Sequence, residues 1–511
     1  MNRIPFPSCF VAGVVSLGSL PHVVTAQLPD AVSARELETW IEATRRTWRV
    51  PGLAVGIVYR DSLVFARGFG LSDVSARRPV NDRTVFAIAS TTKAFTATAL
   101  AMLVGEKKIA WDDPVTKYLP GFTLYDPYVT RDLTIRDLLS HRSGLPRADW
   151  TWAGAAMSRK DLLARLRYIK PVWSFRSHFG YQNLMYMTAG ELVAAVSGRP
   201  WEVFVRERIL LPLGMRHTTT SASALSKQPD AARSHAEIDD SVQPIPYDNG
   251  IDNVNAAGGI NSSVQDMARW LRFQLRGDGT ATGRLVDSAA LAETRTPQTV
   301  VVPYELLGRA VAPQAHLIAY GLGWFLSDYH GRLLMQHSGD GNGMSCVVAL
   351  IPEERVGVVV LTNLGGSVYS AAVIYHILDR FVGAPRTDWS QHYRRLLDSV
   401  LDLGRQAQAK LEAARVQNTR PSRPLDDYVG TYTDELYGEF HVRKGDGRLV
   451  VHYGPGLVAD LEHWHFDTFR AVWRQKEVGK AFVTFHIGTD AKPEELVVDF
   501  EGPIIFKRTP P

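Results

Sequence analysis

The sequence predicts an α+β protein in which an antiparallel sheet is flanked by helices and accompanied by a helical lobe. A C-terminal all-β, barrel-like domain is expected to follow. Strand-like segments occur near both ends of the first 388 residues and enclose a long helical section. After a proline-containing break at 421–424, short strand-like segments continue to the end of the chain. This order predicts a sheet built from distant parts of the chain, with a cleft between sheet and lobe as the default site.

The N-terminal segment, residues 1–26, has the pattern of a signal peptide. It carries one charge, Arg3, then the apolar stretch 10–20 and the small residues 24–26. The stretch is shorter than the about 20 apolar residues that a spanning helix needs, so a cleaved signal is favoured over an uncleaved anchor. We expect a periplasmic or secreted protein with no integral membrane span. Cleavage would leave Cys346 as its single cysteine, which excludes an internal disulfide.

The main domain is predicted to span residues 27–388. An amphipathic stretch at 31–46 predicts a helix, and two apolar runs around Arg60-Asp61 predict a β-hairpin. Helical periodicity follows at 95–104, 138–139, 162–169 and 184–196. Strands are predicted again, before a closing helix, at 320–326, 333–336, 346–351 and 356–361, with the helix at 368–381.

A charged helical linker is predicted at 389–424, and a small β-barrel-like domain at 425–511. Seven strand segments are predicted in this domain: 428–432, 439–443, 449–453, 468–473, 481–486, 496–500 and 504–507. So many short strands in a small unit indicate a barrel or a sandwich.

The composition is that of a globular protein and gives no sign of nucleic-acid binding. The chain is 45% hydrophobic and 22% charged, which excludes wholesale disorder and collagen. The net charge is only +4, from 57 basic and 53 acidic residues, and no run of like charges forms a basic face. We therefore expect no nucleic-acid partner.

Ser90 and Lys93 form the first candidate pair. They precede an apolar run that predicts a buried helix, and a spacing of three residues puts both on one face. Burial lowers the pKa of a lysine, so that its amine can accept the proton of a neighbouring hydroxyl. The alternative is a chance match in which Ser90 only caps the helix.

Tyr181 and Asn183 form the second candidate pair, at the start of another apolar helical run. A tyrosine facing a serine can relay its proton, and an asparagine amide can bond a lysine and a substrate carbonyl. The alternative is a buried aromatic residue followed by a capping asparagine. Tyr247-Asp248-Asn249 has the same spacing but lies among prolines with no helix after it, so it ranks below Tyr181.

His337, Gly339 and Asp340 form the third candidate group, at the end of a predicted strand. Gly339 would let a substrate backbone approach closely, and the amide of Asp340 could pair with that of Ser90 as an oxyanion hole. The alternative is a polar strand end in which His337 is structural.

Together, Ser90-x-x-Lys93, Tyr181-x-Asn183 and His337-x-Gly339 resemble the serine β-lactamase and penicillin-binding-protein superfamily, closest to its class C-like branch. The resemblance extends over about 32–385 and includes the supporting stretches 138–145, 212–215, 258–259 and 320–324. It implies a β-lactamase/transpeptidase-like fold and a serine hydrolase in residues 27–388.

The resemblance implies acyl transfer to Ser90, with Lys93 and Tyr181 moving its proton and with Asn183, His337, Gly339 and Asp340 binding substrate. It implies no metal and no cofactor, and a small molecule or short peptide as substrate. Peptide or amide hydrolysis is favoured, with a carboxylesterase, a β-lactamase or a non-catalytic penicillin-binding sensor as alternatives. Family members that destroy β-lactams usually carry a lysine where this chain has His337, which disfavours lactamase action. Oligomeric state is left open.

The C-terminal unit resembles the small β-domain often fused to this family, with 463–469 as its most recognisable part. Signatures of other enzyme classes, such as G-x-S-x-G and H-E-x-x-H, are absent from the sequence.

Overall fold

The structure is a computed structural model. It describes residues 27–30, 32–154, 157–247, 250–277, 279–280, 283–302, 314–500 and 502–510. The predicted signal at 1–26 lies outside the described residues. The chain forms an α+β domain followed by a closed β-barrel, which confirms the predicted fold class.

A nine-stranded antiparallel sheet organises the first domain. The strands of this domain are, in chain order, β1 Gly52–Tyr59, β2 Ser62–Asp73, β3 Arg78–Pro79, β4 Phe86–Ala87, β5 His235–Ile238, β6 Ser241–Pro244, β7 Asn261–Ser262, β8 Gly279–Thr280, β9 Gly283–Arg284, β10 Thr299–Val300, β11 Ile318–Tyr320, β12 Phe325–Tyr329, β13 Arg332–Gly341, β14 Met344–Ile351 and β15 Val356–Thr362. The sheet order is β10-β11-β12-β13-β14-β15-β1-β2-β3, and three short pairs, β4-β7, β5-β6 and β8-β9, lie outside it. Because β15 pairs with β1, the two ends of the domain meet in the middle of the sheet.

Both faces of the sheet are covered, which explains why its central strands are almost wholly apolar. In β1, Leu53, Val55 and Ile57 pack into one core cluster. Ala54 and Val58, which point to the opposite face, pack into the other. The larger of these two clusters also holds the helical lobe, so the lobe and one face of the sheet share a core.

The helices are α1 Ala34–Thr47, α2 Thr92–Gly105, α3 Pro127–Asp132, α4 Ile135–Leu139, α5 Arg159–Arg165, α6 Asn183–Ser197, α7 Trp201–Val205, α8 Leu211–Leu213, α9 Asn255–Gly258, α10 Val264–Arg276, α11 Ser288–Glu293, α12 Tyr369–Val382 and α13 Trp389–Ala413. Helix α10 packs on β1 and β15, whereas α1 and α12 share the other core cluster. Helix α2 is buried on all sides from Thr92 to Leu103, as its continuous apolar sequence predicts. In the part of the chain that the structure describes, no helix has both the length and the apolarity needed to cross a bilayer.

The C-terminal barrel has eight strands and closes between its first and last strand. The strands are β16 Gly430–Asp434, β17 Gly438–Gly445, β18 Arg448–Tyr453, β19 Leu457–His465, β20 Thr468–Trp473, β21 Lys480–Ile487, β22 Pro493–Asp499 and β23 Pro503–Arg508. Strand β19 is absent from the seven predicted segments. Its buried residues Ala459 and Leu461 alternate with Asp460 and Glu462, but this alternation is short because it breaks at Trp464, where the pairing with β20 shifts register.

Candidate active site

Ser90 lies on the turn that leads into α2. This turn, Ala89–Thr91, is a 3-10 helix that ends where α2 begins, at Thr92. The sequence predicted Ser90 within the first turn of α2, and the structure has it just ahead of that turn. Ala89 has a φ of 42°, a region that residues with a Cβ rarely adopt and that is often found near functional sites. The Ser90 side chain is therefore presented, partly exposed, at the beginning of a buried helix.

The Lys93 side chain is fully buried and approaches Ser90. Its Nζ lies 3.1 Å from Ser90 Oγ, 2.8 Å from Asn183 Oδ1 and 2.9 Å from the carbonyl oxygen of Ala257. Burial lowers the pKa of Lys93 well below its ordinary value, and the positive charge of Arg147 lowers it further. A neutral amine has two N–H donors and one lone pair, which match two oxygen acceptors and one hydroxyl donor. This arrangement suits Lys93 to accept the proton of Ser90.

Tyr181 lies in the loop directly before α6, and the Ser90 side chain lies close enough to its hydroxyl to act on its pKa. Burial raises the pKa of Tyr181, so the hydroxyl is protonated at neutral pH. The side chain of Gln182 caps α6 by accepting a hydrogen bond from the amide of Leu184 at 2.9 Å, which keeps Tyr181 just outside the helix. The Ser90 hydroxyl thus has two neighbours, Lys93 and Tyr181, that can exchange a proton with it.

Asn183, the first residue of α6, connects Lys93 to the loop that precedes Trp152. Its Oδ1 accepts the hydrogen bond from Lys93, and its Nδ2 donates to Asp149 Oδ1 at 3.0 Å. A carboxylate only accepts and an amine Nζ donates here, so the amide has a single satisfactory orientation. Asp149 Oδ2 also accepts from Arg147 Nε at 2.7 Å. Sequence reasoning missed Arg147 and Asp149, which lie in a loop without periodicity.

The His337 ring, on β13, is buried rather than open to solvent, with 1% of the residue exposed. Its Nδ1 lies 2.6 Å from the carbonyl oxygen of Ser338, and its Nε2 lies 3.0 Å from the Tyr320 hydroxyl. Nδ1 must donate to the carbonyl, so a neutral ring accepts from Tyr320 at Nε2. Burial, the largest cause, lowers the pKa of His337 to about 3. Its substrate-binding role stays a prediction, and its hydrogen bonds are to Tyr320 and to the main chain of its own strand.

Gly339 brings β13 against the turn that carries Ser90. A Cβ at this position would lie 2.3 Å from the carbonyl oxygen of Ile88 and 3.1 Å from the Ser90 amide nitrogen, so a larger residue would push the strand away. The carboxylate of Asp340 accepts hydrogen bonds from Ser345 Oγ at 2.8 Å and from the amide of Gly366 at 2.9 Å, which ties the strand end to its neighbours. The main chain of Gly339 and Asp340 therefore runs close to that of Ser90.

Aromatic rings enclose Tyr181 and Lys93. The ring of His141 stacks on Tyr181 with 4.3 Å between centroids, and its Nδ1 accepts a hydrogen bond from the amide of Gln182 at 3.0 Å. The Tyr320 ring lies 4.7 Å from His141. Burial lowers the pKa of His141 well below its ordinary value, so this ring is neutral. His141 and Tyr320 fall within the supporting stretches 138–145 and 320–324, so the sequence did carry a signal for them, although no role was assigned.

The structure brings together all the residues predicted for the site: Ser90, Lys93, Tyr181, Asn183, His337, Gly339 and Asp340. The rival tyrosine, Tyr247, lines a different pocket, and its partners 248 and 249 lie outside the described residues. A cleft of about 770 Å³ continues from Asp340, lined among others by Trp152, Ile251, Arg394 of α13 and Glu477 of the barrel domain. Both domains thus border this cleft, which meets the predicted site at Asp340.

Comparison with known proteins agrees with this geometry. Residues 37–380 match the family model described as Beta-lactamase, and residues 414–508 match a domain of unknown function, DUF3471. The unguisins hydrolase of Aspergillus violaceofuscus is 29% identical over 478 residues, covering 85% of this chain and 82% of that protein.

Two solved structures share the fold. The octameric penicillin-binding protein homologue from Pyrococcus abyssi has a TM-score of 0.63 at 24% identity, covering 93% of this chain and 100% of its own. The class C beta-lactamase from Rhodobacter sphaeroides has a TM-score of 0.54 at 22% identity, covering 68% of this chain and 100% of its own. Because the family model matches more than half of the chain and spans all of the site residues, the protein belongs to the beta-lactamase family of serine hydrolases.

Proposed function

We propose that this protein is a serine hydrolase that cleaves amide bonds of peptides through an acyl-enzyme on Ser90. One observation carries the proposal: the buried Lys93 Nζ lies 3.1 Å from Ser90 Oγ, and burial holds the pKa of that amine well below its ordinary value. A lysine in this state is a general base next to a nucleophile, which is the requirement for acyl transfer at neutral pH.

In the proposed first step, Ser90 Oγ forms a bond to the substrate carbonyl carbon while its proton passes to Lys93, with Tyr181 as relay. The carbonyl oxygen becomes an oxyanion, bonded by the amides of Ser90 and Asp340, each worth about 3 kcal/mol in such sites. The C–N bond then breaks, and Tyr181 returns a proton to the leaving amine. Water attacks the acyl-enzyme and gives up a proton to the same base, which releases the acid and restores Ser90.

We propose that Asn183, which accepts a hydrogen bond from Lys93, also binds the substrate. An amide nitrogen carries two hydrogens, and Nδ2 uses one of them for Asp149. The second hydrogen can then be donated to a carbonyl oxygen of the substrate.

A peptide is the substrate class that the motif resemblance favours, and the cleft has room for a short one. The cleft of about 770 Å³ is within the usual size range of ligand pockets and is bordered by polar and apolar side chains of both domains. A β-lactam is disfavoured because His337 is neutral and bonded to Tyr320, so it lacks the charge that would hold a substrate carboxylate.

We further propose that the protein acts outside the cytoplasm, in the periplasm or after secretion. The support is the signal-like pattern of residues 1–26. The test is the N-terminus of the protein recovered from a secreting host, which should begin after Ala26. An N-terminus at Met1 would contradict the proposal.

The function is tested by incubating the purified protein with a set of short fluorogenic peptide amides, a p-nitrophenyl ester and a fluorescent penicillin, while intact mass and product release are followed together. Release of amine from a peptide, abolished in Ser90→Ala, is the expected result. The matched control is Ser399→Ala, which changes an exposed serine on α13 and should leave turnover unchanged.

The other outcomes contradict the proposal in distinguishable ways. Turnover of the ester alone would indicate a carboxylesterase, and turnover of the penicillin would indicate a β-lactamase. A persistent adduct at Ser90, one per chain and without release, would indicate a non-catalytic penicillin-binding sensor.

A further inference from the structure

The loop before α5 is shared between the two domains, and Trp150 is its principal contact with the barrel. The Trp150 ring packs against the barrel core and stacks on Phe500 with 4.0 Å between centroids. The carbonyl oxygen of Trp150 accepts a hydrogen bond of 2.7 Å from the hydroxyl of Tyr453, a residue buried in that core. One residue of the first domain is thus held by its ring and by its main chain.

Two further contacts join the two domains near this loop. Leu436 of the barrel domain belongs to the hydrophobic core of the first domain, and its carbonyl oxygen accepts from Arg165 at 3.4 Å. At Gly154, an added Cβ would lie 2.4 Å from Cδ1 of Leu457, so the loop main chain lies directly against barrel side chains. Each domain therefore inserts a side chain into the core of the other, which fixes the loop more firmly than a surface contact would.

Asp149, the residue before Trp150, is hydrogen-bonded to Asn183 of the candidate active site. Asp149 Oδ1 accepts one hydrogen bond from Asn183 Nδ2 and another from Trp152 Nε1, both at 3.0 Å. Ala148, just before it, has a φ of 53°, a conformation that a residue with a Cβ holds only when its surroundings impose it. The position of the Asp149 carboxylate thus depends on a loop conformation that the barrel contact supports.

From these contacts we propose that Asp149 is a positioning residue for the reaction and that the barrel domain, through Tyr453 and Trp150, holds it in place. The inference rests on the proposed function of Ser90 and Lys93. The barrel then does more than border the cleft, because it sets the orientation of a side chain that bonds the catalytic base.

The physical reason is the symmetry of the asparagine amide. Its oxygen and nitrogen ends have nearly the same shape, so only their hydrogen-bond partners decide which end faces Lys93. With Asp149 in place, Nδ2 faces the carboxylate and Oδ1 faces Lys93 Nζ. If Asp149 moves away, the amide loses the partner that selects this orientation, and Lys93 loses a fixed acceptor.

The test compares two buried tyrosines of the same barrel. Tyr453→Phe removes the hydroxyl that bonds Trp150, whereas Tyr432→Phe removes a hydroxyl that bonds the carbonyl of Tyr428, within the barrel, at 3.0 Å. Each change deletes one hydroxyl from the barrel interior. Tyr453→Phe should lower kcat roughly 3- to 10-fold, the effect of one lost hydrogen bond, with KM little changed, while Tyr432→Phe should leave kcat at the wild-type value.

Variants of Asp149 supply the second comparison. Asp149→Ala should lower kcat by about 100-fold, the scale of a misplaced catalytic group. Asp149→Asn keeps an oxygen acceptor for Asn183 and should recover much of this loss. Because the negative charge of Asp149 raises the pKa of Lys93, its removal in Asp149→Asn should also shift the acid limb of the pH–rate profile to lower pH.

A readout that does not depend on turnover separates this inference from the proposed function. In protein labelled with ¹⁵N-asparagine, the side-chain amide signal of Asn183, assigned from Asn183→Asp, should shift in Tyr453→Phe and stay in place in Tyr432→Phe. If the signal shifts but wild-type protein cleaves no substrate, the proposed function is wrong and the positioning stands. If wild-type protein is active and both tyrosine variants match it in kcat and in the Asn183 signal, the inference is overturned.

Discussion

The two domains differ in one buried group: the first domain buries a lysine, whereas the lysines in the described part of the barrel are exposed. In the first domain, Lys93 is fully buried on an apolar helix, with Ser90 Oγ, Asn183 Oδ1 and a main-chain carbonyl within 3.1 Å of its Nζ. In the barrel, buried polar atoms include tyrosine hydroxyls that bond main-chain carbonyls, as Tyr432 does with Tyr428 at 3.0 Å. The lysine has neighbours that can exchange a proton with it, and the tyrosine does not.

This difference distinguishes a buried group that can take part in a reaction, Lys93, from buried groups that only stabilise the fold. Desolvating an ionisable group is costly, and a group with a strongly shifted pKa in a cleft is a common mark of a catalytic site. A hydroxyl bonded to a carbonyl satisfies both atoms and leaves no reactive group. The candidate reactive groups thus lie in the first domain, and the barrel core contacts that domain at Trp150.

The test with the largest expected effect removes the amine of Lys93 and keeps an apolar side chain of similar length. Lys93→Met should lower kcat/KM by about 10⁴-fold, the upper end for a lost general base, because Ser90 then has no buried base beside it. Product release from the best peptide amide measures the loss, with circular dichroism to check folding.

The matched control is Lys160→Met, which removes an exposed amine in the same domain and should leave kcat/KM unchanged. A Lys93→Met variant within 10-fold of wild type, a margin of about 1.4 kcal/mol, would mean that the buried amine is structural and would remove the basis of the comparison.

A core substitution in the barrel should have the opposite effect to Lys93→Met: it should lower stability and leave activity unchanged. Phe469 is 2% exposed, and its ring contacts the rings of Tyr428 and Phe485, neither of which bonds or stacks on Trp150. Phe469→Ala should lower the free energy of unfolding of the barrel by about 3–5 kcal/mol, because it leaves a cavity. Hydrogen exchange of barrel peptides measures this loss, and kcat below the unfolding transition should stay at the wild-type value.

Phe469→Leu is the control for the same position, since it keeps most of the apolar volume and should cost less than about 1.5 kcal/mol. A loss of kcat in the folded Phe469→Ala protein would show that the barrel core and the site are coupled more widely than through Trp150.

Most of the fold could be predicted because its signals are local. The runs 346–351 and 356–361 are continuous and apolar, and the structure has them as the central strands β14 and β15. The same local logic missed β19, whose period-two pattern is interrupted at Trp464. The short hairpin of β5 and β6 was also missed, because its strands have only four residues each.

Some contacts of the candidate site could be predicted from local sequence spacing, and others depend on residues that are distant in the sequence. The spacing of Ser90 and Lys93 predicts their contact, since residues three apart are neighbours along a helix. The partner of Asn183, however, is Asp149, 34 residues away in a loop, and nothing in the sequence pairs them. His337 likewise bonds Tyr320 across two strands, so its burial could be learned only from the fold.

The burial of His337 predicts a difference between wild type and a His337 variant in how the free energy of unfolding depends on pH. Its pKa is lowered to about 3 in the folded protein, against an ordinary value of about 6.5. Between these values the unfolded chain binds a proton that the folded one does not, so stability falls as pH drops below 6.5 and levels off near 3. His337→Gln, whose amide oxygen can accept from Tyr320, removes this effect. From pH 6 to pH 5 wild type should therefore lose up to about 1.4 kcal/mol more unfolding free energy than the variant, measured by urea denaturation.

The control for this slope is His316→Gln, which replaces a histidine whose side chain is 94% exposed. That ring pairs with Asp328 Oδ2 at 2.8 Å on the surface, so its replacement removes a histidine without removing a buried ring. Parallel slopes for wild type and His337→Gln would mean that the folded protein can protonate this ring. A charged His337 beside Tyr181 could then hold a substrate carboxylate, and the argument against a β-lactam substrate would fail with it.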